Sequence, residues 1–162
     1  MWVVKGTSIL LTGYQPPFVY EVAMLFFSIS LLGLGARLDG LNGLIINTGT
    51  IVAFVAVTSA VVALVTESMP FVAIAGFGPF LGLILLGSAS LRDKVFPSPW
   101  SALPLAMGLG GPILILGGGG LALIDERLLE VPIVLIGFAW ILLGYCVLAV
   151  ENATEQSSAR VR

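Results

Sequence analysis

The chain has 162 residues, of which 58% are hydrophobic and 10% charged, with a net charge of −2 and a mean hydropathy of +1.10. Soluble domains carry about 25% charged residues, and a chain of this size has too little interior to hide so much apolar surface, so the composition points to a polytopic membrane protein. The absence of histidine excludes bis-histidine haem ligation, histidine-based zinc sites and Ser-His-Asp triads, and the single Cys146 excludes an internal disulfide or a cysteine-rich metal site. No basic patch exists for nucleic acid. No cofactor is expected, and the first partner expected is the lipid bilayer.

Residues 1–16 place Lys5 beside a short apolar patch that stops at Pro16-Pro17, and read as an exposed N-terminal arm at the membrane interface. Residues 18–36 form the first expected span: Pro17 suits a first helical position, where its missing N–H is no loss, and Glu21 is the one charge inside. No charge occurs from Gly40 to Thr66, which gives a second span at 44–65. After the turn at Glu67-Ser68-Met69-Pro70, a third span covers 71–91. The polar, proline-rich loop from Arg92 leads to Trp100, an aromatic residue of the kind found at membrane borders, and a fourth span at 101–124. Asp125 to Glu130 is an acidic loop, and 131–150 is a fifth span of 20 uncharged residues, enough to cross about 30 Å at about 1.5 Å per residue. Residues 151–162 are polar and read as a disordered cytoplasmic tail. The expected fold is therefore an all-α bundle of five transmembrane helices within 17–150.

The basic residues orient it. Arg37, Arg92, Lys94, Arg160 and Arg162 fall on one side, Lys5 and Arg127 on the other, and five against two puts the first set in the cytoplasm. The expected localisation is the cell membrane, multi-pass, with the N-terminus outside and the C-terminus in the cytoplasm. A weak internal repeat also exists. Ala63-Leu-Val-Thr-Glu67 before Pro70-Phe-Val resembles Ala122-Leu-Ile-Asp-Glu126 before Pro132-Ile-Val. Duplication of a helical hairpin is one reading, and chance similarity between apolar segments is the other.

Small residues are the next signal. Gly49, Ala53, Ala56, Ala60 and Ala63 recur at steps of four and three, on one face of the second span, and Gly78 and Gly82 have the small-xxx-small spacing in the third. In lipid no hydrophobic force drives helices together, so association relies on close backbone approach, which small residues permit. The stripe reads either as packing inside one bundle or as a surface for a homo-oligomer or a membrane partner protein.

Pro79 and Pro112 fall near the middle of the third and fourth spans, and each deprives the carbonyl four residues earlier, at Ala75 and Gly108, of its hydrogen bond. Interrupted helices near the midplane point to transport sites, while simple kinks are the common alternative. Trp140, central in the fifth span, has no interface for its indole N–H to reach, so it should find a polar partner, line a cavity or pack in the core. The candidate midplane site is thus Ala75, Pro79, Gly108, Pro112 and Trp140. Glu21 is a candidate intramembrane acid, although one turn from a helix start it also fits an interfacial position favoured by the helix dipole. No nucleotide-binding glycine pattern and no Gly-x-Ser-x-Gly motif is present. The expected function is a non-enzymatic integral membrane protein, a structural or accessory component assembling through small-residue faces. The alternative is a small-solute channel or transporter using the third and fourth spans.

Overall fold

Lys5 interrupts the apolar run at the start of the chain, yet the residues around it form a helix. In the computed structural model, which describes residues 2–14, 19–38, 43–66, 68–96, 98 and 100–160, helix α1 spans Trp2–Thr12. The side chains of Trp2, Glu21 and residues 150–160 lie outside that description. α1 ends at Gly13, whose N–H donates to the Ile9 carbonyl at 2.8 Å and whose φ of +71° is the left-handed conformation of a helix stop. Within the segment read from sequence as an exposed arm, Trp2–Thr12 thus form a helix that packs against the last helix of the chain.

Among the described residues five longer helices follow: α2 Val19–Arg37, α3 Leu44–Thr66, α4 Met69–Arg92, α5 Leu103–Ala122 and α6 Glu130–Arg160, with short 3-10 turns at Trp100–Ala102 and Glu126–Leu129. Among the described residues there is no strand. α4 starts where Pro70 supplies a first-turn proline after an extended Ser68, and α5 continues from the 3-10 turn with Pro104 in its first turn. Asp125 accepts from the Arg127 N–H at 2.9 Å and so starts the turn that leads into α6. α6 continues to Arg160, through the segment read as a disordered tail.

Among the described residues, four stretches are long and apolar enough to cross a membrane: Leu44–Thr66, Met69–Arg92, Trp100–Ala122 and Glu126–Ala149. The expected second to fifth spans correspond to them. The apolar part of α2, Val22–Arg37, is shorter. The helices form a ring in which each packs on the next, α4 also touches α2, and α1 closes the circuit between α6 and α2. The core runs through Phe27 and Leu31 of α2, Phe80, Leu83 and Leu86 of α4, and Ile136 and Leu143 of α6.

Candidate functional site

The small-residue stripe is an internal seam. Gly49, Ala53, Ala56, Ala60 and Ala63 are all buried, and α3 packs on α4 more extensively than any other pair does. A Cβ added to Gly49 would stand 2.8 Å from the Leu86 side chain, and one added to Gly78 would stand 3.1 Å from the Ala56 Cβ. Gly82 faces Leu31 of α2. These contacts have the backbone proximity that small residues permit in lipid.

The proline positions are closed. α4 and α5 run helical through Pro79 and Pro112. Ala75 and Pro79 are fully buried, and Ala75 sits in a small cluster with Met24 and Ala60. The space beside Gly108 belongs to α4: an added Cβ would lie 2.7 Å from the Ile84 nitrogen and 3.0 Å from the Phe80 carbonyl oxygen. The Phe80 ring lies against Gly111 in the same way. A cavity of about 190 Å³ nearby, between α5 and α6, is walled by apolar groups including Met107, Leu114 and Ile136. The five residues of the expected midplane site therefore do not meet around one gap. Trp140 sits apart from Gly108, across two phenylalanines: the Phe27 ring is 4.0 Å, centroid to centroid, from Trp140 and 5.5 Å from Phe80, edge-on in both cases. Glu21 is in α2, but its side chain lies outside the described residues.

A second group of residues was not visible in the sequence as a unit. Lys5 of α1 donates from Nζ to both carboxylate oxygens of Glu130, at 2.8 and 2.9 Å, and its ammonium stands 5.4 Å from the centre of the Tyr20 ring. Both partners are buried, Lys5 at 4% and Glu130 at 7% exposure. Gly6 brings α1 against Val134 and the Glu130 carbonyl, and Gly13 lies beside the Arg127 guanidinium. Read along α6, these contacts lay α1 over its first turns, with Val3 and Val4 reaching the level of Gly137 and Ile141.

Beyond α1 the ring is loose. α2 and α6 leave a groove between them, formed by a pocket of about 660 Å³ next to Val3, Val4 and Gly137 and one of about 370 Å³ next to Gly33, Gly144 and Val147. Trp140 lines both. At the far end Arg37 reaches across and donates to the Val147 carbonyl at 3.2 Å. Ser30 is on the wall, and its hydroxyl donates to the Phe26 carbonyl of its own helix at 2.8 Å. The Trp140 Nε1 is buried and has no hydrogen-bond acceptor in the protein. Of the outcomes expected for this indole, the structure shows a wall position and no polar partner. No cluster of three or more potential metal ligands occurs among the described residues.

No protein family, curated protein or solved structure matches the chain.

Proposed function

We propose that the chain is a non-enzymatic integral membrane protein, a structural or accessory component of the cell membrane that assembles through a small-residue helix face. The observation that carries this reading is the outward face of α5. Ala106, Gly110, Ile113, Gly117 and Gly120 recur at steps of four and three, opposite the buried Pro104, Met107, Gly108, Gly111 and Gly118. Nothing lies within 4 Å of a Cβ added at Gly110, Gly117 or Gly120. This apolar face is exposed at Ile113, Gly117 and Gly120 and borders the α5–α6 cavity at Ala106 and Gly110; its small positions are the kind on which a second helix can lie closely in lipid. The occupant in this reading is another copy or a membrane partner protein. The alternative, a small-solute channel, needs a polar gap beside Gly108, and the presence of Ile84 and Phe80 there makes assembly the preferred reading.

In this reading α2 is a fifth span. Its 19 residues extend about 28 Å at about 1.5 Å per residue, close to the hydrocarbon thickness of about 30 Å. The start of α2 is then on the outer side, with α1 dipping in beside α6, and the C-terminus is in the cytoplasm, as the basic residues indicate. Pro70 and Pro132 each fall in the first turn of a helix, α4 and α6, which is the correspondence a duplicated hairpin would leave.

Two experiments test this. Gly117→Leu should convert the oligomer or complex recovered from native membranes to a smaller species, while Leu116→Ala, one position off the face, should not. Unchanged assembly in Gly117→Leu removes the reading. For topology, a cysteine at Ser157 in a Cys146→Ser background should be labelled from the cytoplasmic side only, and one at Ser68 from the outside only. Labelling of Ser157 from outside ends the five-span arrangement.

A further inference from the structure

We propose that α1 is a two-position strap: in one position the Lys5–Glu130 pair clamps it along α6, and in the other it lies in the plane of the outer interface and leaves the α2–α6 side uncovered. The proposal rests on the reading of α6 as a membrane span. The clamp is a pair of charges with no substitute beside it. Lys5 Nζ donates to both Glu130 oxygens at 2.8 and 2.9 Å, the two residues are 4% and 7% exposed, and among the described residues no other acid pairs with Lys5. A buried pair drawn partly apart strands both charges. Positions between clamped and released are therefore disfavoured, and α1 has two places to rest rather than a continuous range.

Little else fastens α1. It leans on α6 far more than on α2. Its 11 residues extend about 16 Å at about 1.5 Å per residue, roughly half of a layer about 30 Å thick, so it cannot span by itself. The clamped position also carries a penalty at its far end. The first N–H groups of a helix have no acceptor within it, and around Val3 and Val4 the walls are apolar at Ala23, Phe27, Gly137 and Ile141. In the interface the same N–H groups meet water, and Lys5 meets phosphate. Val4 and Leu11 are already exposed, and a short helix of apolar residues with one lysine suits the headgroup boundary. An attraction at the Glu130 end and a penalty at the Val3 end are the opposed terms that keep two states within reach of each other.

The test uses the full chain in lipid nanodiscs, in a Cys146→Ser background, with spin labels at Thr7→Cys on the exposed side of α1 and at Ser68→Cys in the turn before α4. Pulsed dipolar spectroscopy then reads the distance between them. The otherwise native chain should give the clamped distance as its main population. Lys5→Glu sets two like charges against each other, and should raise the ratio of a second, discrete distance to the clamped one about tenfold or more, with helix content unchanged. The swap Lys5→Glu with Glu130→Lys restores opposite charges and should return the clamped distance. A distance unmoved by Lys5→Glu, a continuous smear in place of two distances, a loss of helix content in Lys5→Glu, or a swap that stays released overturns the proposal. A label at Ile141→Cys separates the strap from the spanning arrangement, through its collisions with oxygen, which concentrates in lipid, and with a nickel chelate, which stays in water. A water-exposed label at that position defeats the span itself, whereas a label at mid-depth with an unmoved α1 defeats only the strap.

Discussion

The seam between α4 and α5 and the groove between α2 and α6 are both lined by glycine, and they behave in opposite ways. At the first, an added Cβ on Gly87 would lie 2.5 Å from the Leu105 nitrogen, and one on Gly108 would lie 2.7 Å from the Ile84 nitrogen. The two backbones touch there, and only glycine fits. At the second, Gly33 and Gly144 have nothing within 4 Å of an added Cβ. Small residues in a membrane helix make close approach available, but whether a neighbour takes it up depends on the rest of the ring. In this protein α1 props the α2–α6 side through the Lys5–Glu130 pair over half its length. The other half stays unfilled.

The contrast can be broken at its prop. Lys5→Met leaves the Glu130 carboxylate buried without a partner, and removing one member of a buried ion pair costs about 3–5 kcal/mol. We expect a loss of that size in reversible unfolding from bicelles. The double variant Lys5→Met, Glu130→Leu should recover most of it, because two apolar groups of similar size no longer strand a charge. A loss below about 1 kcal/mol in the single variant would mean that the pair is solvated and α1 only loosely held.

The closed seam comes next. Gly87→Ala sets a methyl group against the Leu105 and Pro104 backbone, which cannot rotate away as a side chain would. Overpacking of this kind costs about 1–3 kcal/mol, and the unfolding free energy should fall by that amount. If Gly87→Ala is neutral, the close contact between α4 and α5 is not real.

The smallest effect has the opposite sign. Gly144→Ala fills open space within a helix, where glycine is about 0.5–1 kcal/mol worse than alanine, so stability should rise by that amount. Destabilisation by Gly144→Ala would show that a neighbour, in the same chain or another, already occupies the groove.

Most of the helical layout was legible because long uncharged runs bounded by charges, prolines and glycines have few other solutions in a membrane protein. The runs at 44–65 and 71–91 reappear in α3 and α4, Leu44–Thr66 and Met69–Arg92, with only small shifts at their ends. The stripe from Gly49 to Ala63 was legible as a face because its period is that of a helix. The sequence left open whether it turned inward, and it does. α1 was missed for a physical reason. A lysine in an eleven-residue apolar helix argues against burial until its partner is known, and Glu130 lies 125 residues further on, in what reads as an acidic loop. Trp140 announced its problem, an indole without an interface, but neither Phe27 nor the groove follows from spacing. The surroundings of the prolines were hidden for the complementary reason. A freed carbonyl is visible in sequence, whereas the Phe80 and Ile84 groups that crowd Gly108 come from a different helix.

The Lys5–Glu130 pair also sets a timetable for making the protein. Its two halves are 125 residues apart, and chains grow at about 5–20 residues per second, so Lys5 waits about 6–25 s for its counter-charge to be synthesised. During that interval α1 has no α6 to lie on, and its lysine is drawn to water or headgroups. Closure of the ring is therefore a late event of synthesis, made only after the last helix emerges. Nascent chains stalled before residue 130 should leave Lys5 open to amine-reactive reagents, and longer ones should hide it.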